Sequence, residues 1–221
     1  MSPTSPPRTA WLSVGGSTGP IGVLALQGDV AEHRRMLEVL GADVVEVRQC
    51  ADLEGIAGLV IPGGESTVMD KLSRIFGLRD PLRALLSEGL PAFGTCAGMI
   101  MLADRLDDAI VGQHTLGGLD VTVKRNAFGS QRQSFDVALE VDGIEGGPVD
   151  VSFIRAPIVV DVGEGVKVLA TLPTGQIVAC ESKNILALSF HPEVTGDTRL
   201  HQRFLDTVER EGFRAHVECE S

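Results

Sequence analysis

The 221-residue chain has no tyrosine, one tryptophan and eight phenylalanines. So few rings argue against an aromatic platform for bases or sugars. Lys and Arg number 19 against 30 Asp and Glu, a formal charge of −11, so the basic footprint of a nucleic-acid binder is missing as well. That balance leaves room for a local basic patch gripping a phosphate or carboxylate. No apolar run approaches the roughly 20 residues of a membrane span, and the first 20 residues lack the apolar stretch of a secretory signal. Cys50, Cys96, Cys180 and Cys219 are widely spaced, with no C-x-x-C pair and no histidine cluster at metal-ligand intervals. No metal and no cofactor are expected, and the thiols read as reduced ones in a cytoplasmic protein. With 43% hydrophobic and 22% charged residues, what remains is a soluble globular chain able to bury a real core.

Residues 1–19 are rich in Pro, Ser, Thr and Gly and read as a disordered leader. Residues 20–211 read as a single domain, and 212–221 as a flexible tail. Residues 21–26, 44–47, 58–61 and 91–93 are apolar runs of the kind buried on both faces of a parallel sheet. Helical patterns over 29–40, 67–75 and 81–88 alternate with them. Beyond about residue 112 the strands become shorter and Gly-punctuated, at 119–124, 134–141, 149–154, 166–170 and 176–180. A continuous apolar strand at 185–190 and an amphipathic helix at 197–211 close the chain. The expected fold is α/β: a three-layer, mostly parallel central sheet flanked by helices, with antiparallel additions in the C-terminal half.

Three segments carry chemistry. Phe93-Gly94-Thr95-Cys96-Ala97-Gly98 runs from a strand through G-x-C-x-G into an apolar helix, the context of a nucleophile elbow with Cys in place of Ser. Glycines there let the backbone take a strained turn and pass close beneath the nucleophile. The helix N-terminus favours thiolate, and the Ala97 N–H can donate to an oxyanion. The bland alternative is a buried Cys at a tight turn. Ser189-Phe190-His191-Pro192-Glu193 ends another buried strand, whose C-terminal end can meet Cys96 at one sheet edge. His191 would then be the base and Glu193, two residues on, the group that orients it. Pro62-Gly63-Gly64-Glu65-Ser66-Thr67 joins a strand to a helix start through a Gly-rich turn; without a G-K-[ST] ending it is no Walker loop. It reads either as a ligand-approaching turn or as an ordinary βα turn capped by Ser66 or Thr67. His33, His114, His201 and His216 have no such context, although His201, on the closing helix, can pack near the site. Cys50 and Cys180 read as small core-type residues and Cys219 as a tail thiol.

Taken in order, P-G-G, G-T-C-A-G and H-P-E resemble the class I glutamine amidotransferases. Leu26-Gln27-Gly28-Asp29, Pro62-Gly63-Gly64-Glu65-Ser66-Thr67, Arg125-Asn126-Ala127-Phe128-Gly129 and Phe153-Ile154-Arg155-Ala156-Pro157 narrow the resemblance to the glutaminase subunits of pyridoxal phosphate synthase, over about residues 20–211. The resemblance implies a flavodoxin-like amidotransferase fold and hydrolysis of L-glutamine to glutamate and ammonia, with the ammonia passed to a barrel-shaped synthase subunit in a hetero-oligomer. It implies a Cys96-His191-Glu193 triad, glutamine bound by Gly64, Glu65, Ser66, Arg125, Ile154 and Arg155, an oxyanion site at Gly63, Gly64 and Ala97, and Gln27 in activation by the partner. An arginine grip on the α-carboxylate agrees with the chemistry of a free amino acid. The rivals are an amidotransferase subunit of another ammonia-using synthase, a stand-alone cysteine hydrolase on the same fold, and a non-catalytic flavodoxin-like module holding an anion on the P-G-G turn.

Overall fold

A computed structural model describes residues 19–125 and 134–219. The leader before residue 19 and the Asn126–Gly129 part of the R-N-x-F-G motif lie outside the described residues. Strand β1 (Ile21–Leu24), helix α1 (Val30–Val39), β2 (Val44–Val47), β3 (Gly58–Ile61), α2 (Ser66–Ile75), α3 (Arg79–Glu88) and β4 (Ala92–Thr95) form the first half. Helix α4 (Ala97–Leu102), β5 (Ala103–Leu106) and β6 (Leu119–Lys124) lead into β7 (Ser134–Leu139), β8 (Val149–Ile154), β9 (Ile158–Val162), β10 (Lys167–Thr171) and β11 (Ile177–Glu181). Strand β12 (Ile185–Leu188), α5 (Pro192–Thr195) and α6 (Arg199–Glu211) close the chain.

The main sheet runs β2-β1-β3-β4-β12-β11-β9-β6-β5, with β10 hydrogen-bonded to β11 off this path. Pairings from β2 through β12 are parallel, those from β12 through β11 and β9 to β6 antiparallel, and β5 pairs with β6 in parallel. Alternate residues of the buried strands feed two cores. Leu59, Ile61 and Ala92 join a cluster with Met69, Leu82 and Met99, from α2, α3 and α4. Val60 and Phe93 join one with Leu37, Leu200 and Phe204, from α1 and α6. The period of two along each strand thus makes the sheet the middle of three layers. Pairing Ile61 with Gly94 and Thr95 with Leu188 levels the C-terminal ends of β3, β4 and β12 at a single edge, where an open α/β sheet presents its ligands.

Three expectations need correction, and two strands are not read from the sequence at all. Strands β7 and β8 form a separate two-stranded sheet, so this antiparallel addition is not continuous with the main one. Strands β5 and β9 belong to the main sheet although their runs, Ala-Asp-Arg-Leu and a segment directly after Pro157, show no clean pattern of burial. Residues 212–219 are no free tail. Ala215 is buried and exchanges backbone hydrogen bonds with Gly55 and Ile56, at 2.9 and 2.8 Å, while the Val217 N–H donates to the Glu54 carboxylate at 2.9 Å. Phe213 and Val217 pack on the core. Finally, Cys50 and Cys219, 169 positions apart in sequence, are joined in a disulfide, against the reading of isolated reduced thiols. Phe213, Ala215, Val217 and Cys219 alternate with charged residues and His216, a strand-like period that the charge of the segment obscures. Among the described residues no helix is long and apolar enough to cross a membrane.

Candidate active site

Cys96 sits between β4 and α4 with φ 50° and ψ −104°, a backbone conformation that L residues rarely hold. Its N–H is anchored on the Leu188 carbonyl at 2.8 Å, so the elbow is pinned to β12. The flanking glycines are steric requirements: a Cβ on Gly94 would lie 2.6 Å from the Gly98 carbonyl carbon, and one on Gly98 would strike the Ile61 carbonyl oxygen. The thiol is nearly buried and has the Ile154 carbonyl oxygen at 3.9 Å.

His191 arrives from the end of β12 and is held by its N–H, which donates to the Ser152 carbonyl of β8 at 3.0 Å. Its ring borders the same cavity as the Cys96 thiol, and Nδ1 lies 2.7 Å from Glu193 Oε1. Glu193 reaches the ring from the first turn of α5, which Pro192 opens. A second carboxylate, missed in the sequence, shares the ring: Asp29 Oδ2 is 3.3 Å from the same Nδ1. Burial pushes the imidazole pKa down, but hydrogen bonds to Asp29, Cys96 and Glu193, with the Glu193 charge, carry it well above the usual histidine value. Asp29 is correspondingly held below the usual carboxylate range by its bond to His191, whereas desolvation raises buried Glu193. Asp29, His191 and Glu193 place potential metal-ligand atoms within 4.8 Å of one another. A cation there would have to displace the Nδ1 proton that both carboxylates stabilise, so hydrogen bonding is the better use of the cluster.

A cavity of about 410 Å³ opens beside the thiol, a size suited to a small polar ligand. Gln27, Gly64, Glu65, Ser66, Cys96, Arg125, Ile154, Arg155 and His191, all singled out in the sequence, line it, together with Gly28, Asp29 and Ile100. Glu65 caps α2, its Oε1 accepting from the Thr67 backbone N–H at 3.4 Å and from the Thr67 hydroxyl at 3.0 Å, so the cap is neither Ser66 nor Thr67. Ser66 is buried, and its Oγ accepts from Gln113 Nε2 at 3.0 Å. The Gln113 carbonyl oxygen in turn receives an Arg125 guanidinium N–H at 2.7 Å, so Gln113, which the sequence did not single out, ties the P-G-G turn to the arginine. Arg125 is buried; its Nε makes no hydrogen bond among the described residues and lies 3.7 Å from Asp108 Oδ1. Arg155 is exposed at the cavity, on a backbone of φ 46°. Gly63 and Gly64 follow β3 and crowd the site: a Cβ on Gly63 would strike the His191 ring, and one on Gly64, at φ +142°, the Gln27 amide. Ala97 opens α4 directly after the thiol. A larger groove along α6, lined among others by Glu181, Lys183, Arg203 and Arg210, holds these charges paired with one another or with Glu211, and no cysteine or histidine lines it.

A cysteine elbow facing a histidine–carboxylate pair at the C-terminal edge of a mostly parallel sheet defines a cysteine amidohydrolase of the triad type. The model of the SNO glutamine amidotransferase family matches residues 23–210, and the chain belongs to that family. It is 60% identical over 195 residues to pyridoxal 5′-phosphate synthase subunit PdxT of Clavibacter sepedonicus, covering 88% of this chain and 93% of the relative. It is 57% identical to the same-named subunit of Leifsonia xyli subsp. xyli, covering 85% of this chain and 95% of that one. A crystal structure of a glutamine amidotransferase, 47% identical, superposes with a TM-score of 0.80 over 86% of this chain and all of its own.

Proposed function

We propose that this chain is the glutaminase subunit of a pyridoxal 5′-phosphate synthase, working in the cytoplasm and passing ammonia to a barrel-shaped synthase subunit. The observation that carries the reading is the meeting of Cys96, His191 and Glu193 beside a cavity edged by two arginines and the Gly63-Gly64 turn. Glutamine enters with its α-carboxylate toward Arg125 and Arg155 and its side-chain amide at the thiol. The protonated His191 stabilises Cys96 as thiolate, which attacks the carboxamide carbon. The oxyanion is met by N–H groups of Ala97 and the Gly63-Gly64 turn. His191 gives its proton to the leaving nitrogen, ammonia departs, and a water deprotonated by the same ring cleaves the thioester to glutamate. Glu193 holds the tautomer and orientation of the ring and faces its positive charge.

Gln27 abuts Gly64, and its amide donates to the Glu65 carbonyl at 3.4 Å. A synthase subunit that engages the loop after β1 therefore acts on the oxyanion turn through one side chain, and glutaminase activity is low without it. The test is glutamine-dependent pyridoxal phosphate formation by this chain combined with the synthase subunit. Wild-type chain supports it, Cys96→Ala does so only with added ammonium, and glutamine-dependent product from Cys96→Ala would end the assignment.

A further inference from the structure

Behind the triad, where the sequence offered no context, lie two more histidines. His33 on α1 and His201 on α6 are fully buried. His33 Nδ1 is 2.9 Å from His201 Nε2. Its Nε2 is 3.0 Å from Thr95 Oγ1, on the residue before the nucleophile, and 3.5 Å from Glu193 Oε1. The same Oε1 takes the His191 bond, so buried polar side chains line up from α6 toward the site: His201, His33 with Glu193 3.5 Å from it, and His191, whose ring borders the cavity beside Cys96. Packing alone does not require imidazoles here. Both rings lie edge-on to Phe93, with centroids 5.9 and 5.2 Å away, and hydrocarbon would fill the space without the cost of burying polar nitrogens.

The direction of the chain follows from counting protons. Burial drives His33 well below the usual histidine value and His201 to about 4, so each ring is neutral with one N–H. The other groups around the pair are Glu193 and His191 beyond β12, Thr95 on β4 and Asp197 at the start of α6, with Asp29 and Cys96 reaching His191. An ionised Glu193 can only accept. A bare His33 Nε2 would set its lone pair against that carboxylate, so Nε2 carries the proton and points between Thr95 and Glu193. Nδ1 then accepts, and His201 Nε2 donates to it. This leaves His201 Nδ1 as a bare lone pair, and it is the one ring nitrogen of the two that lacks a partner among the described residues. An orphaned acceptor is the cheaper kind of orphan.

We propose that His33 and His201 are positioning residues of the glutaminase: His201 fixes the tautomer of His33, and His33 donates to Glu193 so that the carboxylate stays ionised and aimed at His191. The inference rests on the glutaminase reading and extends its triad by two side chains on helices that touch no substrate.

Paired substitutions test it, because a Gln amide nitrogen replaces imidazole Nε2 and an Asn amide replaces Nδ1. Glutamine hydrolysis by the full chain with its synthase subunit is followed against pH. His33→Gln keeps the donor to Glu193 and stays within about threefold of wild type. His33→Asn loses it: kcat falls about 10- to 100-fold with little change in KM, and the acid limb of the profile moves to higher pH, since an unsupported Glu193 protonates sooner. His201→Phe, which suits the Phe93 and Phe204 surroundings, lowers kcat about three- to tenfold, and His201→Gln restores it. Equal losses in His33→Gln and His33→Asn, or wild-type rate and pH profile in His201→Phe, overturn the proposal; should His33→Asn fail to fold, the His201 pair decides. The glutaminase reading fails by a different result, absence of Cys96-dependent hydrolysis in the wild-type chain.

Discussion

The parallel half of the main sheet and the later, largely antiparallel strands divide the labour of the site. Strands β1, β3, β4 and β12 are buried at every position, four residues each. They end level, and the turns just past them supply Gln27, Gly63, Gly64, Cys96 and His191. The later half of the chain includes strands with alternating exposure, such as β6 of the main sheet and β7 of the two-stranded one. It sends β8 and the Ile154-Arg155 turn across the top of the site, where a carbonyl touches the thiol and the Ser152 backbone steadies His191. A sheet buried on both faces fixes where reacting atoms stand, because nothing around it can yield without opening a core. The half-exposed strands shape what may bind there.

That contrast can be broken experimentally. The largest effect belongs to the buried half: His191→Asn removes the proton carrier, and kcat for glutamine falls at least about 10³-fold with a near-normal KM. Arg155→Ala acts in the other half, removing a charged contact to substrate, so KM rises about tenfold or more while kcat is kept; a kcat loss matching that of His191→Asn would abolish the division. Cys219→Ser touches neither half of the site. Under oxidising conditions it lowers the urea midpoint by an amount corresponding to about 2–4 kcal/mol, with kcat unchanged. The smallest effect is that of Asp29→Asn. It withdraws one of the two carboxylates that raise His191, so the imidazolium loses its proton at a lower pH and the alkaline limb of kcat/KM moves down, with less than about threefold change at neutral pH. An unmoved limb would show that Glu193 alone sets the basicity of the ring.

What the sequence made legible follows the same division. Continuous apolar runs ending in glycine or proline announce buried parallel strands, and the residues just past those ends are the ones brought to the cavity. Local patterns also sufficed for the elbow, since Gly94 and Gly98 answer to contacts that leave no room for a side chain. Asp29, Gln113, His33 and the Cys50–Cys219 pair were not legible, because each takes its meaning from a residue far away in sequence: His33 from Glu193, Gln113 from Ser66, Cys50 from Cys219. Strand β9 was hidden for a related reason, its burial being decided by neighbours β6 and β11 rather than by its own period.

The tail that clasps Gly55 and Ile56 has a practical side. Pro20, near the first described residue, accepts a hydrogen bond from the Ala57 N–H at 2.9 Å, so both ends of the described chain dock on one short segment just ahead of β3. The catalytic turn lies past the opposite end of that strand. Labels or surface anchors joined to residues 19 or 219 are therefore tethered beside residues 54–57, at the end of β3 away from that turn, and the two described ends, docked on the same short segment, suit joining by a linker with the chain reopened elsewhere.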